Sequence, residues 1–213
     1  MTTVFRNKQI SVIRNPVDSN IFNINENAKS NLEFKVDQTK SVILFVAENP
    51  EDERKGLMKL LLALEVLQSK KHELFLMIIG NLKSNIILNI PYLTTGIIQD
   101  EKKLANIYNL ASLFVIPSLE DNLPNTVSEA LLCGTPVVGY DIGGLKEMVV
   151  QGVNGFLCNP IDELANTLNL CINSNFSRKE VRKTAIEKLN DDILLSQFLT
   201  VYDKPSFLAK TSH

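Results

Sequence analysis

Two acidic side chains, Asp121 and Glu129, are the first candidates for chemistry in this sequence. They lie in the stretch "PSLEDNLPNTVSEA" (117–130), between the apolar run "LFVI" and the segment "LLCGTPVVG". If a helix begins near residues 124–126, its first backbone N–H groups point toward the loop together with the positive end of the helix dipole. Such a helix N-terminus binds phosphate without needing an arginine.

We expect three backbone amides to form this anion site, those of Asn125, Thr126 and Val127. Pro124 suits the helix start because its nitrogen carries no hydrogen that would stay unpaired. The carboxylates need another role, since they repel a phosphate. They fit a ligand with hydroxyl groups beside the phosphate, because a hydrogen bond to a charged acceptor contributes about 1.5–3 kcal/mol. The stretch therefore predicts a site for a phosphate flanked by sugar hydroxyls.

Two purely structural interpretations of the same residues stay open. Thr126 and Glu129 have the spacing of a capping box, in which the glutamate only returns to the backbone N–H of the threonine. Asp121 and Asn122 are also typical of a plain turn.

The elements that would position these residues alternate between strand and helix. Continuous apolar runs predict strands buried on both faces at 41–47, 74–80, 112–117 and 135–140. Between them, apolar residues recur at helix spacing, as in Leu57, Leu60, Leu61 and Leu64, in 100–111 and in 126–133. The alternation predicts an α/β fold, a Rossmann-like parallel sheet with helices on both faces. Ligands of such sheets bind at loops beyond the carboxyl ends of the strands, which is where 117–130 lies.

We divide the chain into three parts. Residues 1–38 form a linker with one short strand at 10–15, and residues 39–175 form the Rossmann-like core. Residues 176–213 form C-terminal helices that pack on the same domain. A helix is predicted at the end of the core, at 161–173, and two more, at 178–189 and 191–202, make the tail all-helical. The basic run 178–183 has two interpretations, a contact for anionic lipid or a solvated helix face.

The composition excludes several classes of function. The 213 residues are 45% hydrophobic and carry a net charge of −2, so the chain can bury a core but has no overall basic field to hold nucleic acid. Its three cysteines are widely spaced, which predicts neither a disulfide framework nor a zinc site and fits a reducing cytosol. No signal peptide or membrane span is recognised. We expect a cytoplasmic protein, with peripheral attachment to the inner face of the membrane left open.

The stretch "PSLEDNLPNTVSEALLCGTPVVGYDIGGLKEMVVQGVNGFLCNP" (117–160) resembles the donor-binding half of the family-four glycosyltransferases, also called glycosyl transferases group 1. These are retaining enzymes of GT-B architecture that use nucleotide-diphosphate sugars. The similarity includes the acid-x7-Glu spacing, Gly143-Gly144 followed by Glu147, and Asn154-Gly155, and weaker similarity extends over roughly 15–202. The resemblance implies the second half of a GT-B fold, and we expect the first, acceptor-binding domain to be missing from this chain.

By position, the resemblance assigns Glu129 to the nucleotide ribose and Asp121 to hydroxyls of the donor sugar. The family commonly has Glu at the first of these positions, so the neighbouring Glu120 is a competing candidate. Lys55 corresponds to the phosphate-binding lysine, whose charge would stabilise the departing diphosphate. Without the resemblance, Lys55 is equally well a solvated residue at a helix start. The catalytic residues implied are Asp121, Glu129 and Lys55.

Further donor contacts are implied by the same resemblance. The loop and helix start would contact the sugar and diphosphate through Asn122, Leu123, Pro124, Asn125, Thr126 and Val127. Many members carry an arginine just after the first strand, where this chain has Ala47-Glu48, and Arg54 is the residue that could replace it. The base would lie at the loop around Gly96, Ile97 and Ile98, of which Ile98 is the residue chosen.

Three functions from different classes follow. The first is a donor domain for retaining transfer of a hexose from a UDP- or GDP-type sugar to a glycan or lipid-linked acceptor, incomplete or weakly active alone. It needs no metal or other cofactor, serves polysaccharide biosynthesis, and has as partners the nucleotide sugar, the acceptor-binding domain and a membrane-associated glycan. The second is a module that binds a nucleotide sugar without turnover. The third is a structural domain that has lost the ligand, against which the retention of Glu129 and Lys55 argues.

Overall fold

The computed structural model describes residues 14–28, 36–37, 39–159, 163–189 and 191–202. Within these ranges the strands are β1 (Ser41–Val46), β2 (Leu74–Ile79), β3 (Tyr92–Thr94), β4 (Leu113–Ile116), β5 (Val137–Tyr140) and β6 (Gly155–Cys158). The helices are α1 (Leu57–Ser69), α2 (Glu101–Leu110), α3 (Asn125–Leu132), α4 (Leu145–Met148), α5 (Leu164–Asn173), α6 (Arg178–Leu189) and α7 (Asp191–Tyr202). None of the helices in these ranges has both the length and the apolar character needed to cross a membrane.

The six strands form one parallel sheet in the order β3-β2-β1-β4-β5-β6. The register of β1 against β2 aligns Ser41 with Leu74 and Val46 with Ile79, while β4 joins the other side of β1 with Leu113 beside Ile43. The chain therefore builds outward from β1 to β3 and then returns to β4. The predicted Rossmann-like fold is confirmed. The strand order reverses between β1 and β4, and in such sheets the carboxyl ends of the strands at this reversal form the crevice that binds ligands.

The sheet is covered by helices on both faces because successive strand residues point to opposite sides. Ile43 and Phe45 of β1 pack in a cluster with α1 and α5, whereas Leu44 packs in a second cluster with α2, α3 and α6. All three side chains are almost fully buried. Burying a side chain of this size contributes about 1.5–3 kcal/mol, so the alternation along β1 fixes which helix lies on which face.

The sequence did not predict the two edge strands. β3 has three residues, two of them exposed, and β6 contains Gly155 and two half-buried residues. Short edge strands lack the continuous buried run that identified the four inner strands. The short strand predicted at 10–15 lies mostly outside the described residues, and Arg14 and Asn15, which the structure describes, have no regular structure.

Both interpretations of the basic run 178–183 are wrong for its two arginines. Arg178 donates hydrogen bonds to the carbonyl oxygen of Ala111 at 2.7 Å and to that of Cys133 at 3.3 Å. Arg182 donates to the carbonyl oxygens of Leu132, Phe22 and Ser19. Ala111 and Cys133 are the C-caps of α2 and α3, whose last carbonyls have no intrahelical partner and favour positive charge. The arginines therefore fasten α6 to the ends of two core helices.

Candidate functional site

Three loops meet at the carboxyl edge of the sheet and are joined by backbone hydrogen bonds. The amide of Leu119, in the loop after β4, donates to the carbonyl oxygen of Arg54, in the loop after β1, at 2.7 Å. The amide of Gly144, in the loop after β5, donates to the carbonyl oxygen of Asn122 at 2.8 Å. The acidic loop after β4 is therefore held from both sides.

Glycines at two of these junctions permit contacts that no side chain would allow. Gly56 has a φ of 75°, and a Cβ added there would lie 2.0 Å from the carbonyl oxygen of Pro117. Gly143 has a φ of 52°, and its Cβ would lie 2.0 Å from the carbonyl oxygen of Asp121. Only glycine combines a left-handed conformation with such close backbone approach. The Gly143-Gly144 pair thus packs directly against the backbone of the acidic loop.

Lys55 and Asp121, predicted from separate parts of the sequence, form an ion pair at the crevice. The Lys55 Nζ lies 3.3 Å from Asp121 Oδ2, and the two side chains are 38% and 18% exposed. Glu120 is exposed, so between the two competing acids it is Asp121 that joins the lysine. A partly exposed ion pair of this kind contributes little net stability, about 0–1 kcal/mol. An anionic ligand can therefore take the place of Asp121 on Lys55 at small cost.

The helix beside this pair begins where the sequence predicted, but it offers fewer free amides. α3 begins at Asn125 with Pro124 as an N-cap that makes no side-chain hydrogen bond. The amides of Asn125 and Thr126 have no acceptor among the described residues, whereas the amide of Val127 donates to the carbonyl oxygen of Pro124 at 3.1 Å. The prediction of three unpaired amides is thus wrong for Val127, whose side chain is also buried in the core.

Glu129 is not part of a capping box. Its Oε2 accepts a hydrogen bond from the hydroxyl of Tyr108 on α2 at 2.9 Å, and no bond joins it to the amide of Thr126. Burial raises the pKa of Glu129, and the hydrogen bond from Tyr108 opposes that increase only in part. A carboxylate kept in a partly desolvated position is typical of a binding site rather than of a helix cap.

Arg54, the predicted replacement for the family arginine, is bound within its own turn. Its guanidinium donates to both carboxylate oxygens of Asp52, at 3.1 and 2.6 Å. These hydrogen bonds lower the pKa of Asp52 to about 2, and the same partner raises the pKa of Arg54. The Arg54 side chain is 66% exposed. Its charge is therefore largely balanced by Asp52 before any ligand arrives.

A cavity of about 330 Å³ opens beside Lys55 at this edge. Its lining residues come from the loops after β1, β2 and β3: Glu48, Asn49, Asp52, Lys55, Asn81, Lys83 and Ile97. Ile97 is exposed, whereas Ile98, the residue that the resemblance favoured, packs partly buried against the core. Leu123 also packs against that core, while Asn122 and Asn125 are exposed.

Sequence reasoning missed two side chains, Lys83 at this edge and Tyr108 in the core beside Glu129. Lys83 follows β2, whose carboxyl end lies at the same edge as that of β1, so the rule for parallel sheets alone could have identified it. In the sequence, Tyr108 is only one position of the predicted helix 100–111. A buried tyrosine usually has a hydrogen-bond partner for its hydroxyl. A tyrosine on the apolar face of a predicted helix therefore indicates a nearby polar side chain, which is here Glu129.

Comparison with known proteins places this geometry in a family. The sequence profile described as "Glycosyl transferases group 1" matches residues 27–188. The chain is 32% identical over 102 residues to the alpha-1,3/1,6-mannosyltransferase ALG2 of Dictyostelium discoideum, an alignment covering 47% of this chain and 24% of that protein. It is 27% identical over 162 residues to a D-inositol 3-phosphate glycosyltransferase of Segniliparus rotundus, covering 70% of this chain and 36% of that protein.

Solved structures share the fold at lower identity. The sucrose-phosphate synthase of Thermosynechococcus elongatus superposes with a TM-score of 0.76 at 22% identity, covering 92% of this chain and 53% of that one. A glycosyltransferase of Rickettsia africae gives 0.75 at 21% identity, covering 95% and 58%. HepE of Anabaena, solved in complex with UDP-glucose, gives 0.73 at 21% identity, covering 91% and 57%.

The chain thus spans about half the length of these solved proteins and a smaller share of the two curated relatives. The solved structures show the fold, and the sequence profile, which covers most of the chain, shows the family. The chain belongs to the glycosyl transferases group 1, as a partial, C-terminal-like domain of the GT-B fold.

Proposed function

We propose that this chain binds a nucleotide-diphosphate sugar of the UDP or GDP type at the carboxyl edge of its sheet. In this proposal it is the donor half of a retaining glycosyltransferase that transfers a hexose to a glycan or lipid-linked acceptor. The observation that carries the proposal is the meeting of Lys55 and Asp121 at the crevice between β1 and β4. The two residues come from different loops, and the adjacent helix begins with two amides that have no partner among the described residues.

The diphosphate would lie between the first turn of α3 and Lys55. The amides of Asn125 and Thr126 supply N–H donors and the positive end of the helix dipole. When a phosphate oxygen binds the Lys55 ammonium, it replaces Asp121, which now lies 3.3 Å from that nitrogen. Asp121 is then free to accept hydrogen bonds from hydroxyls of the donor sugar. When the phosphate replaces Asp121 on Lys55, the lysine binds the diphosphate and the aspartate binds the sugar.

Many family members have an arginine just after the first strand, where this chain has Ala47-Glu48. In this proposal Lys83 supplies the positive charge that the arginine provides in those members. It lines the same cavity as Lys55, and no carboxylate of the described residues lies within salt-bridge distance of its ammonium. Arg54, in contrast, is engaged by Asp52. In this proposal the two lysines neutralise the diphosphate, and the exposed Ile97 packs against the base.

Transfer would use the same groups. As the bond between the sugar and the diphosphate breaks, negative charge grows on the departing phosphate, and Lys55 with the α3 dipole stabilises that charge. The acceptor would be positioned by the family's acceptor-binding domain, since positioning supplies several kcal/mol of barrier lowering. Two relatives support the substrate class: HepE was solved with UDP-glucose, and the Dictyostelium relative is a mannosyltransferase.

Calorimetric titration with UDP, GDP and ADP, and with their nucleosides, tests donor binding. We expect one diphosphate to bind and its nucleoside to bind much more weakly. Lys55→Ala should reduce affinity for the diphosphate but not for the nucleoside. Lys59 is an exposed lysine in the first turn of α1, and Lys59→Ala should change neither affinity. An absence of heat with every nucleotide at millimolar concentration would refute the proposal.

A second assay separates transfer from binding alone. The chain is mixed with a candidate acceptor-binding domain, the nucleotide sugar that binds it and a glycan acceptor, and sugar transfer is followed by mass spectrometry. The proposal predicts a product whose new linkage keeps the anomeric configuration of the donor. Proven donor binding without product would favour a module that binds without turnover.

A further inference from the structure

The hydrogen bond between Tyr108 and Glu129 joins two helices behind the candidate site. The Tyr108 hydroxyl donates to Glu129 Oε2 at 2.9 Å, and the tyrosine itself is fully buried. A carboxylate has two oxygens with about four acceptor positions. The structure gives Oε2 a fixed donor within the protein, while Oε1 has no hydrogen-bond donor among the described residues.

Tyr108 is held in place by contacts of its ring and backbone, which do not involve its hydroxyl. Its ring lies edge-on to Phe114 at a centroid distance of 5.7 Å and to Phe22 at 6.3 Å. Its backbone oxygen accepts a hydrogen bond from the hydroxyl of Thr135 at 2.6 Å. The phenol therefore presents its hydroxyl at one fixed point, and the carboxylate that binds it has little freedom to turn.

We propose that Tyr108 is a positioning residue, which orients Glu129 so that Oε1 accepts hydrogen bonds from the 2′- and 3′-hydroxyls of the nucleotide ribose. The inference rests on the proposed function. Tyr108 does not touch the ligand, but without its hydroxyl the partly buried carboxylate of Glu129 would be free to rotate.

The groups around Glu129 make the predicted ribose binding depend on pH. Burial raises the pKa of Glu129, the charge of Glu101 on α2 adds to that increase, and the Tyr108 hydroxyl counteracts it. Cys133, one turn further along at the C-cap of α3, remains a neutral thiol because burial raises its pKa to about 12. Removing the hydroxyl should therefore shift protonation of Glu129 to higher pH. Ribose recognition would then be lost earlier on acidification.

The test compares wild type with Tyr108→Phe. Whichever of UDP and GDP binds wild type is titrated between pH 5 and 8, together with its 2′,3′-dideoxy analogue. We expect Tyr108→Phe to lose about tenfold in affinity for the ribonucleotide, since a hydrogen bond to a charged group is worth at least a factor of this order. The dideoxy analogue should bind both proteins equally. The acidic loss of ribonucleotide affinity should begin at higher pH in the variant.

Tyr140→Phe is the matched control, because Tyr140 is also buried but finds no hydrogen-bond partner among the described residues. It should leave both affinities and the pH profile unchanged. If Tyr108→Phe does not fold, Phe22→Leu removes one edge contact of the tyrosine ring and should give the same selective loss in weaker form.

The outcomes separate this inference from the function on which it rests. A wild-type chain that binds neither UDP nor GDP refutes the proposed function, and the role of Tyr108 with it. A wild-type chain that binds one of them, with variants that lose ribonucleotide and dideoxy analogue equally or lose neither, refutes only the positioning role. An unchanged pH profile in Tyr108→Phe would likewise overturn it.

Discussion

Gly144→Ala should displace the acidic loop without touching any charged side chain. Gly144 has φ −85° and ψ −3°, a conformation open to alanine, so the substitution causes no backbone strain of its own. Its Cβ, however, would lie 2.1 Å from the carbonyl oxygen of Asn122 and 2.5 Å from Leu123 Cδ2. Carbon and oxygen do not approach closer than 3.0 Å, so the loop must move by about 0.9 Å.

The expected magnitude follows from three contributions. Overpacking costs about 1–3 kcal/mol, and loss of the 2.8 Å hydrogen bond from the Gly144 amide to Asn122 costs about 0.5–1.5 kcal/mol. Replacing glycine recovers about 0.4–1 kcal/mol by restricting the unfolded chain. The net loss should therefore be about 0.5–4 kcal/mol, and each kcal/mol lowers the melting temperature by about 2–4 °C in a protein of this size.

Thermal unfolding followed by circular dichroism measures the stability, and calorimetric titration measures nucleotide-sugar affinity. Because Asp121 moves with the loop, affinity for the nucleotide sugar should fall more than affinity for the nucleoside diphosphate. Lys146→Ala, an exposed residue on the same short helix, is the control and should change neither measurement. A Gly144→Ala protein with unchanged melting temperature and unchanged affinity would refute the claim that the two loops interlock here.

Three further predictions concern single side chains. Glu129→Gln should abolish ribose-dependent affinity yet raise the free energy of unfolding at neutral pH, measured by urea denaturation, because it removes a carboxylate that burial disfavours. Arg178→Ala should lower the free energy of unfolding by about 2–3 kcal/mol, since it leaves the C-cap carbonyls of α2 and α3 without their charged donor, whereas Lys179→Ala should not. Asp121→Asn should preserve nucleoside diphosphate affinity and weaken only binding of the nucleotide sugar.

The sign of the pH dependence for Glu129 follows from its raised pKa. The folded pKa lies above the ordinary value of 4.5, so the folded chain binds this proton more tightly than the unfolded chain. The cost of the charged carboxylate is fully present above the folded pKa and disappears as the pH falls toward 4.5. The advantage of Glu129→Gln should therefore shrink on acidification, and an advantage that grew at low pH would contradict the assignment.

The four inner strands were predictable because each is a continuous apolar run. Leu44 and Ile43 have opposite faces to cover, so both must be apolar, and that pattern is visible in the sequence. β3, where two of three residues are exposed, carries no such pattern. Its place in the sheet is determined by its backbone pairing with β2, which local sequence does not encode.

The candidate site was predicted only in part for a similar reason. Asp121 and Glu129 have a spacing that indicates a loop and a helix start, but nothing local shows that Lys55 meets Asp121 across the crevice. The role of Arg178 was not predictable, because a basic run in the sequence resembles a solvated helix face. The carbonyls that it binds belong to residues distant in sequence.

A crystal structure of the chain with the UDP or GDP that binds it tests the central claim most directly. We expect the diphosphate at the first turn of α3 within hydrogen-bond distance of Lys55, and the ribose hydroxyls on Glu129. A nucleotide bound elsewhere on the chain, with Lys55 still paired to Asp121 and Glu129 remote from the ribose, would contradict it.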